Sequence, residues 1–296
     1  MALSRLHPDS GRGTKNEGMT ATEHGPKVNV ENLSSLSRAV DPRYPSNRLV
    51  IAGALVAGVA TALANLFGLD TGLGPFSAAV GVFLAWAVAR ELDPDHPASA
   101  ALAMPASLVF LLAIGPASLL VSLGVLLGVR LAAGTVGAPL RPLDIIGVVG
   151  LAAFLGTNPI GVVGLGAMVI GVVVDEPRRN RAFLITASAV AAFVAAVLVS
   201  GLEWTWTTPD TAGWITLVIA VVATVLVIPA ALPTSSTDLR TGRVLRGRVT
   251  AARVVAGSAV VAGFALAGGA GIAALAGTAV AALAGTGIRR IGAGLS

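Results

Sequence analysis

The chain has 296 residues, 55% of them apolar and only 12% charged, with a formal net charge of +5 and no cysteine. An ordinary globular domain is about 45–50% apolar and about 25% charged, so a mean hydropathy of +0.84 leaves too little polar surface for a water-soluble fold. These values exclude a soluble globule, a disulfide scaffold, and any cysteine-ligated metal or thiol chemistry; the solvent of this chain is lipid.

Residues 1–47 form a polar tail rich in Gly, Ser, Asn and charge, expected to be largely disordered and cytoplasmic. The tail has no apolar core of a secretory signal. Val30, Leu33, Leu36 and Val40 recur near helical spacing, so a short interfacial helix is the alternative there. The transmembrane domain is expected over 48–290, with a short cytoplasmic C-terminus at 291–296.

A membrane-spanning helix needs roughly 20 apolar residues. Residues 49–69 supply one, followed by the turn at 70–74. Residues 75–89 supply a second, closed by Arg90 and the acidic turn at 91–97. Three later runs, 99–131, 143–174 and 254–288, would each be about 50 Å long as a single helix, well beyond the hydrocarbon core. Each carries a breaker near its middle: Gly115-Pro116, Gly156-Thr157-Asn158-Pro159 and Gly268-Gly269-Ala270-Gly271. Residues 181–201 and 213–232 form a further pair around the loop at 202–206. The expected fold is therefore an all-α polytopic bundle of about ten helical segments arranged as five hairpins. Pro75, Pro116 and Pro159 each open the second helix of a hairpin, because proline fits the first helical turn. The stretches after them are alike, which suggests a hairpin repeated in parallel orientation. Several segments fall near the lower length limit, and eight full spans with a re-entrant pair is the alternative count.

Every basic residue after position 48 is an arginine at an end of an apolar run or between two runs. With the N-terminus inside, all of them fall on the cytoplasmic side, as the bias of membrane proteins toward cytoplasmic arginine requires. Both termini are then cytoplasmic and the protein sits in the cell membrane, with Trp204, Trp206 and Trp214 anchoring the outer surface. No basic stripe interleaved with aromatics occurs, so nucleic acid is not an expected partner. Abundant Ala, Val, Gly and Arg with few lysines points to a prokaryotic source.

The last segment repeats small residues every fourth position at Gly269, Ala273, Gly277, Ala281 and Gly285. Close backbone approach through small residues is what holds helices together in lipid. One face of this helix should lie against another helix of the same chain, or, as the alternative, against a second copy in a homo-oligomer.

Chemistry is sparse. No ionisable residue falls in the middle of an expected span, and Arg130, near a helix end, can snorkel. Glu91, Asp93, Asp95 and His96 form the one concentrated polar segment and could hold a hard divalent cation, the only cofactor the sequence offers. Asn65, Thr157 and Asn158 are the polar candidates for a substrate pathway. No Walker loop, dinucleotide fingerprint or serine elbow is present. The leading expectation is a non-catalytic protein that transports or binds a small solute. One alternative is an inner-leaflet enzyme acting on a lipid-linked or diphosphate substrate, with a divalent metal at the 91–96 turn. The other is a membrane scaffold or assembly factor.

Overall fold

The computed structural model describes residues 34–36, 41–69, 71–229, 233–237 and 243–294. Most of the tail, with Val30, Leu33 and Val40, lies outside the described residues, as do Asp70 and Asp238. Among the described residues there are ten helices and no strand: α1 (Pro45–Leu66), α2 (Pro75–Leu92), α3 (Pro97–Ile114), α4 (Leu119–Ala133), α5 (Pro142–Leu155), α6 (Gly161–Asp175), α7 (Arg179–Ser200), α8 (Thr211–Val227), α9 (Arg246–Ala267) and α10 (Gly269–Gly294). The polytopic helical membrane protein expected from composition is the fold observed. Six helices, α1, α2, α3, α7, α9 and α10, are long and apolar enough to cross a membrane; α4, α5, α6 and α8 are shorter apolar helices.

All three breaks inside the long runs fall where the sequence places them, but two helices start later than their prolines. Pro75 opens α2 directly, whereas α4 begins three residues after Pro116 and α6 two after Pro159. At α4 the start is set by Ser118, whose side chain accepts from the Val121 amide at the N-terminus of the helix. A larger departure concerns α9, which starts at Arg246 instead of 254. Val249, Ala252, Ala256 and Val260 continue one buried helical face back through the arginines, so charge alone does not end the helix.

Helix α10 is the centre of the bundle. Of its apolar span 89% is buried, against 17% for α1 at the periphery. A π-turn at Ala276–Val280 interrupts it. The small-residue face is taken up within the chain. Gly285 lies on the backbone of α3, where an added Cβ would come within 2.6 Å of the Ala103 nitrogen, and Gly277 accommodates the Leu111 side chain. Gly269 meets Pro209 and Thr208 at the opposite end, and Ala281 is fully buried.

The helices that follow the three prolines, α2, α4 and α6, pack side by side as a row, with α4–α6 one of the two most extensive interfaces among the described residues. Neighbours in sequence are not always neighbours in space. α1 packs along α2 and α9 along the start of α10, while α3 instead lies on α10 and α5 on α7. Large apolar side chains dominate the outward faces of the helices, as lipid requires; on α7, Leu198 and Val199 are 78% and 89% exposed.

The two ends of the bundle differ in chemistry. One end collects Arg130, Arg181, Arg248, Arg253, Arg289 and Arg290 with the acids that pair with them. The other carries Trp206 against Gly268, and Trp214 edge-on to Phe264 with ring centroids 5.3 Å apart. At the arginine end, a described piece of the tail is docked. Asp144 accepts from the Ser35 amide at 2.9 Å and the Ser35 hydroxyl at 2.7 Å, and Arg130 donates to the Leu36 carbonyl at 2.9 Å.

Candidate functional site

The acidic turn between α2 and α3 sits at the arginine end. Asp93 leaves the helical conformation, the His96 amide closes the turn on the Asp93 carbonyl, and Pro97 starts α3 in the first-turn position where its missing donor costs nothing. This places four ionisable side chains within six residues, yet each faces a different set of partners.

Glu91 is fully buried at the end of α2. It forms an ion pair with Arg130 of α4 at 2.8 Å and accepts from the Thr135 hydroxyl at 2.5 Å. Asp93, also buried, accepts from Ser99 at 2.6 Å and lies 3.0 Å from the His96 ring. Arg289 of α10 approaches it to 3.1 Å and Arg253 of α9 to 3.8 Å. Asp95 turns away, accepting from the Thr234 amide at 3.0 Å and from the Ser235 amide and hydroxyl at 2.8 and 2.5 Å. Among the described residues no three Asp, Glu or His side chains converge as a bound cation would need. The surroundings of Asp93 are cationic, which favours an anion over a metal ion at this spot.

Asp95 holds the 233–237 segment against the turn. Burial works against its charge, but the Ser235 hydroxyl, the Thr234 and Ser235 amides and nearby His96 outweigh that, so its pKa lies below the ordinary aspartate range. A depressed carboxylate pKa contributes stability above the unfolded value and loses it as pH falls through the folded one. Amide exchange at Thr234 and Ser235, corrected for intrinsic rate, should therefore stay slow at neutral pH and rise only below about pH 4. In Asp95→Ala it should be fast throughout; protection indifferent to both pH and the substitution would refute this tie.

Three arginines, Arg253 of α9 with Arg289 and Arg290 of α10, complete the site. Together with Asp93, His96 and Pro233 they line a narrow cleft of about 30 Å³. Arg253 is 2% exposed and donates from Nε to the Leu92 carbonyl at 2.7 Å. Arg290 reaches to the end of α8, donating to the Leu226 carbonyl at 3.0 Å and to the Pro229 carbonyl. Two guanidinium nitrogens, Nη1 of Arg253 and Nε of Arg289, are buried with no hydrogen-bond partner. A buried charged donor without an acceptor costs more than a neutral one, at least about 1–3 kcal/mol. An anion in the cleft would remove that cost.

In the sequence these arginines read only as markers of topology. The signal missed by that reading is the buried period through 249, 252, 256 and 260, which puts Arg253 on the core-facing side of α9. Arg253 thus lies inside α9 near its arginine end, because the helix begins at Arg246 and not at the expected 254. Arg130, expected to snorkel, is held by Glu91 and the tail instead.

The three pathway candidates are occupied locally and are not brought together. Asn65 donates to the Leu73 carbonyl at 2.9 Å and accepts from Thr71 at 2.8 Å, tying off the α1–α2 turn. Thr157 donates to the Phe154 carbonyl at 2.8 Å, and Asn158 accepts from the Ile160 amide at 2.9 Å while donating to Ser118 at 3.3 Å. The interior polar group lies elsewhere, around the π-turn of α10. Ser107 donates to the Gly277 carbonyl at 2.5 Å, Ser122 and Thr278 are 2.7 Å apart, and the Ser118 amide donates to the Ala274 carbonyl at 3.0 Å. A π-turn disrupts the regular ladder of α10, and these hydroxyls serve the carbonyls beside it.

No protein-family model, no curated protein and no solved structure matches this chain. Its function must be argued from the site itself.

Proposed function

We propose that this multi-pass membrane protein binds a small anionic solute, bearing phosphate or carboxylate, in the cleft between the α2–α3 turn, α9 and α10, as the recognition step of solute binding or transport. The observation that carries this reading is the pair of buried, unpartnered guanidinium nitrogens of Arg253 and Arg289, left over while Asp93 pairs with the Nη2 atoms of the same two arginines. Arginine presents a planar fork of donors suited to carboxylate and phosphate oxygens. Asp93 and Ser99 hold the fork in place, and His96, on the exposed side of the turn, stands beside the cleft mouth.

Calorimetry of the detergent-solubilised protein against inorganic phosphate, sulfate and small mono- and dicarboxylates tests this reading. At least one of these anions should bind, and Arg289→Gln should weaken it at least tenfold, the worth of one charge-assisted hydrogen bond. Proteoliposomes loaded with that anion should then exchange it in wild type and not in Arg289→Gln. Absence of binding by every anion, or equal affinity in the variant, overturns the proposal.

A further inference from the structure

Resting on the anion-binding reading, we infer that the ligand of the arginine cleft is an anionic lipid, its head held by Arg253, Arg289 and Arg290 and one acyl chain lying in the groove between α8 and α9. The groove is walled by Val221, Val225 and Ile228 on one side and Val254, Val261 and Ala265 on the other, and offers about 370 Å³ of almost wholly apolar space. It runs along α9 from Val254 to Ala265, about 16 Å at the helical rise, close to the depth of one leaflet in a hydrocarbon core of about 30 Å. Thr224 and Gly257 bring the two helices together: a Cβ on Gly257 would collide with the Thr224 side chain.

The groove ends at the charges. On the α9 wall, Val254 directly follows Arg253. On the α8 wall, Ile228 lies between Leu226 and Pro229, whose carbonyls both accept from Arg290. An amphiphile with its chain in the groove thus has its head beside Arg290, which shares the cleft with Arg253 and Arg289. A free anion would use only half of this arrangement and a neutral lipid only the other half. Each methylene placed in a protein groove instead of lipid gains little, so the charged head decides selection and the groove decides chain placement.

The test uses the whole protein and three probes: labelled phosphatidylglycerol, labelled phosphatidylcholine and inorganic phosphate. Wild type should retain phosphatidylglycerol through detergent exchange and bind it at least tenfold more tightly than phosphatidylcholine. Arg289→Gln should lose that preference. Filling the groove with Val261→Trp and Ala265→Trp, both at exposed positions, should weaken phosphatidylglycerol at least tenfold and leave phosphate binding intact. The retained phosphate binding also reports that the variant is folded. If phosphate binds but phosphatidylglycerol is held no better than phosphatidylcholine, or the filled groove has no effect on it, the lipid inference fails while the anion-binding reading stands. If neither phosphate nor phosphatidylglycerol binds, the lipid inference fails, and the anion-binding reading falls with it when sulfate and the carboxylates also fail to bind.

Discussion

Gly128→Leu should force α4 and α6 apart and lower the melting temperature of the solubilised protein far below that of wild type. At this crossing the two backbones touch: a Cβ on Gly128 would sit inside contact distance of the Ala167 carbonyl and 2.9 Å from the Met168 nitrogen. The approach is reciprocal, because a Cβ on Gly171 would meet the Gly128 carbonyl at 2.5 Å, and one on Gly124 would meet the Gly164 Cα at 2.9 Å. Backbone atoms cannot rotate away as a side-chain tip can, so the helices must separate along the interface. Overpacking in a tight core ordinarily costs about 1–3 kcal/mol, and a leucine wedged between two backbones should reach or exceed the top of that range. In lipid this close packing is also the main source of attraction between helices. Gly166→Leu is the internal comparison, since an added Cβ there meets nothing within 4 Å. Thermal unfolding in detergent should show Gly166→Leu close to wild type and Gly128→Leu far below it; similar melting of the two would disprove the argument.

Glu91→Ala should be the most damaging single change among the acids, at about 3–5 kcal/mol, the usual penalty for leaving one half of a buried ion pair behind. Glu91 is fully buried, and its removal strands the Arg130 guanidinium and the Thr135 hydroxyl at the α2–α4 contact. Because Arg130 also grips the Leu36 carbonyl, proteolysis near residue 36 should quicken in the same variant. Replacing both partners with apolar residues, as in Glu91→Leu with Arg130→Met, should recover much of the loss, since buried pairs barely repay their own desolvation. A double-mutant cycle on the melting temperature checks this. Strictly additive losses for the two single changes would show that the pair does not act as a unit.

Several features of the fold were legible because they depend on local composition. Lipid as solvent follows from hydropathy, the breaks at 115–116, 156–159 and 268 follow from glycine and proline chemistry, and the clustering of arginine at one end follows from their positions along the chain. The inward face of α10 was also legible, since small residues at every fourth position can only serve close packing. At Gly268 the φ of +60° suits the glycine read there, whereas its close approach to the Thr207 carbonyl is a tertiary contact.

The candidate site was only half legible. Glu91, Asp93, Asp95 and His96 stood out as a polar cluster, but their adjacency in sequence suggested shared ligation, whereas the turn sends them to separate partners. Their true partners lie far along the chain: Arg130 for Glu91, Arg289 and Arg253 for Asp93, the 234–235 backbone for Asp95. By itself the sequence determined that these helices form and where the long runs break, because helix formation in lipid is settled by backbone hydrogen bonding within each segment. Only the tertiary structure decided which charges pair, which glycines touch and which donors remain unpaired. Those outcomes belong to contacts between segments, and an apolar helix carries no pattern that names its neighbour.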